Sequence, residues 1–246
     1  MFDPKQLLDQ FLGGQGGSGT NDPRGNTTFG GQAAGGGMMG RVGDLARQNP
    51  MLTGGIAGGL AGLLLGRGFG KDIIKYGGMA VIGGLAYKAW RDYQQSQQTG
   101  QSPAEGYGAG GFTLPPPDSP FVPAPQSQAR LAETLIVAMI AAAKADGHID
   151  AEERGRIYQR LEEGGLQPEE VAFLQRELTE PVDIERIVAG ARTKEEAVEV
   201  YAASLMAIRS DTPQERDYLA ALADRLKLEP GLIAAIEKTV ESVSER

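Results

Sequence analysis

The sequence predicts an all-α protein: a C-terminal bundle of about seven short helices, preceded by a glycine-zipper membrane segment and disordered linkers. Three observations carry this reading. Through residues 127–246 apolar residues recur at helical rather than alternating spacing, in runs bounded by cap or proline signals. Within that region a helix–turn–helix break occurs twice, as AMIAAAKADGHIDAEERGRIYQRL (Ala138 to Leu161) and ASLMAIRSDTPQERDYLAALADRL (Ala203 to Leu226). Upstream, Gly54, Gly58, Gly62, Gly66 and Gly70 fall every four residues, as they would in a groove along one helix face.

Five segments follow from composition. Residues 1–12 begin with Asp3-Pro4, a cap followed by proline at the first helical position. Leu7, Leu8, Phe11 and Leu12 give this short amphipathic helix one apolar face, which either frays or docks on a protein or membrane surface. It lacks the charged and apolar regions of a secretory signal. Residues 13–40 are a Gly-rich linker. Residues 41–91 are the membrane-associated segment. Met51 to Gly66 carries no charge, and lipid would enforce helix there despite the glycines. Sixteen helical residues rise only about 24 Å against a ~30 Å hydrocarbon core. A second run, Ile73 to Tyr87, contains Lys75. Lys88, Trp90, Arg91 and Tyr93 follow it as an interfacial anchor would. The segment is thus read as one short span plus an interfacial helix, or as a tight hairpin. Its basic residues flank the glycine-rich run on both sides and leave orientation open. Residues 92–126, rich in Pro, Gln and Gly, form a second linker.

The helical domain, 127–246, opens with Leu131 to Ala143, apolar nearly all round and therefore central. Ile157 and Leu161 mark the next helix, and Pro168 opens one bearing Val171, Leu174 and Leu178. Asp183 caps a short helix. Thr193-x-x-Glu196 is a capping box, and Pro213 and Pro230 begin two more helices.

Charge separates the two halves. Residues 1–126 hold 9 Lys+Arg against 8 Asp+Glu, and residues 127–246 hold 15 against 24. An acidic domain is no nucleic-acid binder. Without cysteine there is no disulfide, thiolate zinc site or cysteine nucleophile, and the single His148 excludes a site needing two imidazoles.

The two breaks place Asp146, Asp150, Glu153, Asp211 and Glu215 at equivalent turns. Clustered carboxylates at helix ends are caps or cation ligands. DGHIDAEE matches the second half of an EF-hand loop, but Ala142 and Lys144 stand where the first two ligands belong. Any divalent cation, calcium or magnesium, would draw ligands from both turns. Capping accounts for Asp150, Thr212, Glu153 and Glu215 without an ion, and less well for Asp146 and Asp211.

AAAKADGHIDAEE and IRSDTPQERDYL resemble the two half-motifs of the tellurite-resistance TerB-like helical domain. With MFDPKQLLDQFL, the glycine-zipper segment and the linker, most of the chain resembles the YebE-type family of bacterial inner-membrane proteins of unknown function. The resemblance implies a seven-helix domain, an inner-membrane tether and divalent-cation binding at the five acidic residues. It implies no enzymatic activity. The second turn lacks the glycine and second Asp of the first, which argues against a symmetric two-ion site.

The expected function is a membrane-tethered interaction or sensor module, with a cytoplasmic C-terminal domain because no export signal is evident. Its partners are the lipid membrane and a protein not identified by the sequence. One alternative is a membrane-organising scaffold that self-associates through Gly54, Gly58, Gly62 and Gly66. A metal-dependent hydrolase at the acidic turns is the weakest alternative, since no nucleophile, phosphate-loop or oxyanion motif accompanies them.

Overall fold

Proline and small polar residues set most helix starts. The computed structural model describes residues 2–12, 77–99, 114–145, 166–208 and 212–244. Among these residues there are eight helices and no strand. In chain order they are α1 (Pro4–Leu12), α2 (Gly78–Thr99), α3 (Pro125–Ala143), α4 (Pro168–Thr179), α5 (Ile184–Gly190), α6 (Lys194–Ala207), α7 (Pro213–Arg225) and α8 (Pro230–Ser244). The all-helical class is therefore as the sequence reads.

The caps act as their residue types dictate. Asp3 Oδ1 accepts from the N–H groups of Lys5 (3.0 Å) and Gln6 (3.2 Å), and Asp183 Oδ1 from Arg186 N (3.0 Å). Thr193 caps α6 through Glu196 N at 3.1 Å, but the expected box is only half made. The Glu196 carboxylate instead takes Arg192 N (2.6 Å) and Arg130 Nη2 (2.5 Å), which ties the start of α6 to α3. The start of α4 carries a cap the sequence reading missed: Glu170 Oε2 accepts from Gln167 N at 2.8 Å.

The axis of the core is the α3–α6 pair, the most extensive helix contact. α3 is buried continuously from Thr134 to Ala142, and α6 from Glu196 to Ser204. Ala197, Ala202, Ala203 and Ser204 let the two backbones approach. Ser204 Oγ satisfies itself on Val200 O at 3.0 Å. Tyr218 from α7 donates to Ala138 O at 3.3 Å, and burial pushes its hydroxyl up to about 12. α5 packs on α3 and α7 through Ile187. On α4 the inward face is Phe173, Leu174 and Leu178. Phe2 lies over Phe173 with ring centroids 4.7 Å apart.

Helices outside 127–246 belong to the same core. α1 packs on α3 and α2, with Leu7 and Leu8 fully buried, so the short N-terminal helix docks on protein. α2 packs on α8 and α6. It spends Val81, Ile82, Leu85, Ala86 and Ala89 on that packing. The second apolar run, read from sequence as membrane-associated, is from Gly78 onward a helix covered by protein. The aromatic residues read as an interfacial anchor face protein as well. Trp90 meets Phe121 edge-on at 6.1 Å and lies under Lys194 Nζ at 5.2 Å, and Tyr93 is buried. No helix among the described residues is long and apolar enough to cross a membrane. The run Met51 to Gly66, with Gly54, Gly58, Gly62 and Gly66, lies outside the described residues.

Candidate functional site

α3 ends where the first acidic turn begins, and a cleft opens at that end. Lys144 is the C-cap residue, its N–H reaching Ile140 O at 3.1 Å and Ala141 O at 3.2 Å. Its ammonium crosses to the end of α4. There it donates to the carbonyl oxygens of Glu177 (2.8 Å) and Glu180. Burial lowers the Lys144 pKa, opposed by the carboxylates of Glu177 and Glu180. Lys144 thus supplies the cation that a helix C-terminus favours, to its own helix end and to that of α4.

Beside it, the buried Glu177 carboxylate is gripped by Arg186 in a fork at 2.8 and 2.9 Å. That hydrogen bonding raises the Arg186 pKa, against a smaller desolvation effect. Val137, Ile140 and Ala141 of α3 and the Pro181–Val182 turn supply apolar walls to a cleft of about 290 Å³. Val182 is the exposed lip. Both cations lining the cleft are committed, Lys144 to carbonyls and Arg186 to Glu177. No nucleophile–base pair is found among the residues that line it.

Of the five carboxylates singled out by sequence, Glu215 is described. Its Oε2 accepts from Thr212 N at 3.0 Å, while Thr212 Oγ1 accepts from Glu215 N at 3.2 Å. This is the capping box expected of Thr212-x-x-Glu215. Asp146, Asp150, Glu153 and Asp211, with His148, lie outside the described residues. Among the described residues no cluster of three or more His, Asp or Glu could hold a metal ion.

Sequence reasoning missed Glu199. It lies on the buried side of α6 at 1 % exposure, with Oε2 enclosed and without a hydrogen-bond partner. Desolvation pushes its pKa well above the ordinary carboxylate value, aided by Glu196 and Glu195. It faces Gly83 of α2. A Cβ there would stand 3.8 Å from Glu199 Oε1 and 3.0 Å from Phe121 O. The available signal was a glutamate inside the run Ala197-Val198-Glu199-Val200-Tyr201. A second polar cluster joins α2 to the start of α8: Tyr93 Oη donates to Glu229, which also pairs with Lys194 at 2.7 Å. Lys194, then Tyr93, lowers the Glu229 pKa.

The last feature is a clamp between α1 and α2. Gly77 takes φ +79°, and Asp9 Oδ1 accepts from Met79 N at 3.5 Å. A Cβ on Gly78 would stand 2.5 Å from Leu8 O and 3.0 Å from Leu12 Cβ. The last residue of α1 and the first of α2 therefore sit side by side, although residues 13–77 separate them in sequence.

A relative from Yersinia enterocolitica, described as an uncharacterized protein in the ampR 5' region, is 33 % identical over 108 residues, covering 44 % of this chain and 78 % of the relative. No solved structure matches. The family model described as "Protein of unknown function (DUF533)" matches residues 48–240, well over half of the chain, and the protein belongs to that family.

Proposed function

We propose that the chain is a membrane-tethered helical interaction module without catalytic activity. Its helical body sits at the cytoplasmic face of a bacterial inner membrane and is held there by the stretch 41–76. The observation that carries the reading is the α1–α2 clamp. It brings together the two ends of the stretch 13–77, and that stretch contains the uncharged, glycine-spaced run Met51 to Gly66. The cleft beside Lys144, with apolar walls from α3 and the Pro181–Val182 turn, is the surface assigned to a protein partner in this proposal. A divalent cation, calcium or magnesium, at Asp146, Asp150, Glu153, Asp211 and Glu215 is part of this proposal. Glu215 already spends Oε2 on its cap.

The test is flotation of the full chain with vesicles of phosphatidylethanolamine and phosphatidylglycerol. A variant in which residues 51–66 are replaced by Ser, Asn and Gly in equal number runs beside it. The wild type should float with the vesicles and the variant remain below, with unchanged melting of the helical body. If the wild type also remains below, the membrane reading fails.

A further inference from the structure

We infer that the cleft beside Lys144 takes a basic protein segment: one large apolar side chain of the partner enters the cleft, and Lys or Arg residues flanking that anchor meet the carboxylates around the mouth. This deepens the partner reading above and rests on its choice of the cleft. Shape and charge carry it independently.

Shape selects a single anchor. Val137, Ile140 and Ala141 of α3 form one wall, and Pro181 and Val182 the other. The volume of about 290 Å³ lies at the lower end of ligand pockets and gives room for one large side chain. The α3 residues are buried, whereas Val182 is 38 % exposed, so the uncovered apolar surface is at the lip, where an entering side chain covers it. The walls are tied together in advance. Lys144 binds the end of α3 to the last carbonyls of α4, and the Arg186–Glu177 fork joins α5 to α4. A preformed pocket spares the partner the cost of ordering it, and interfaces draw most of their affinity from few anchors seated in such pockets.

Charge selects the flanks. The two cations that line the cleft are committed within the protein, Lys144 to backbone carbonyls and Arg186 to the Glu177 carboxylate. The other carboxylates stand around the mouth. The side chains of Glu133 and Glu180 are 43 % and 49 % exposed, and each lies 3.9 Å from an Arg186 nitrogen that already donates to Glu177. Asp183 is exposed and spends one oxygen, Oδ1, on its cap. Four carboxylates thus accompany two cations at the cleft. Residues 127–246, with 15 Lys+Arg against 24 Asp+Glu, extend that negative excess over the domain. Such a field draws in a cationic segment and turns away an acidic one.

The probe is a phage-displayed library of random linear peptides, selected on the full chain in detergent, with the selected peptides then synthesised and titrated. The selected sequences should share one large apolar residue flanked by Lys or Arg. Ala141→Met fills the cleft from its α3 wall and should weaken a selected peptide roughly thirtyfold. Val182→Ser reads the same anchor from an exposed position and should weaken it in the same direction even where Ala141→Met lowers the melting temperature. Glu133→Gln combined with Glu180→Gln should weaken binding roughly tenfold and flatten its salt dependence, because the lost pairs are screened ones at the rim. Selected peptides that are neutral or acidic, yet lose affinity with Val182→Ser and Ala141→Met, overturn the basic partner and leave the cleft as a docking surface. Peptides that bind both of these variants as they bind wild type overturn the cleft as well. A library that yields no binder overturns both.

Discussion

Glu199 shows how one residue can run against the pattern around it. Val198 and Val200 on either side of it in α6 are β-branched and buried, and its own carboxyl is enclosed with Oε2 unpartnered. Only the neutral form suits such a place, which is why desolvation dominates its raised pKa. The folded state therefore holds the proton more tightly than the unfolded state. With more protons bound when folded, unfolding free energy falls as pH rises. The loss begins near the unfolded glutamate value of about 4.3 and proceeds at up to roughly 1.4 kcal/mol per pH unit until the folded carboxyl ionises. Glu199→Gln removes this proton but retains a buried polar group. Its stability relative to wild type should rise as pH increases above about 5, whatever the offset at pH 5, as read by urea unfolding at several pH values. Parallel curves for the two proteins would show that Glu199 is ionised or solvated in the fold. This residue was illegible in the sequence because helical periodicity in α6 is weak. With Val198 and Val200 beside it and no single apolar stripe along α6, nothing marks Glu199 as the inward position. What buries it is the packing of α2 and the Phe121 segment from far away in the chain.

At the scale of elements, local chemistry was read well and tertiary destination less so. Asp3, Asp183, Thr193 and Thr212 cap the helices they were expected to cap, because capping needs only a side-chain oxygen and the next turn's N–H groups. Glu196 departed from its box because Arg130 and Arg192 N offered a better-placed pair of donors. α2 was legible as a helix with small residues and aromatic anchors, and its partner was not. Gly, Ala and Trp at helical spacing suit close packing on protein as well as on lipid, and only the folded chain reveals α8 and α6 as the cover. The start of α7 separates capping from ligation. Thr212→Ala should cost about 1 kcal/mol, the usual loss of a cap. Glu215→Gln keeps an acceptor for Thr212 N and loses only the charge at the helix N-terminus, worth about 0.3–1 kcal/mol. Thermal melts should therefore rank Thr212→Ala below Glu215→Gln, in the same order with chelator and with calcium or magnesium. A wild-type gain in added cation that Glu215→Gln abolishes would instead make Glu215 a ligand.

For the whole molecule, the consequence of the clamp is that the core does not begin where the composition changes. Charge and glycine content place a boundary near residue 127, yet Leu7, Leu8 and Ile82 are as fully buried as Leu131 and Leu135. Burying a leucine contributes about 1.5–3 kcal/mol, so α1 and α2 supply a substantial part of the apolar stabilisation. Docked elements with adjacent ends do not need the intervening chain in order to fold. Replacing residues 13–76 with a Gly/Ser loop of six residues should leave helix content per folded residue intact. It should also relieve loop-closure entropy. At (3/2)RT times the logarithm of the length ratio, shortening a loop of about sixty residues roughly tenfold is worth about 2 kcal/mol. The shortened protein should then melt no lower than the full chain, and higher if the short loop closes without strain. A sharp drop in melting temperature, with Leu8→Ala no longer destabilising by the ~2–5 kcal/mol expected of a buried leucine, would mean that α1 is not docked. Retained melting together with lost vesicle binding would instead divide the chain physically, assigning stability to the eight helices and membrane attachment to the insert they present.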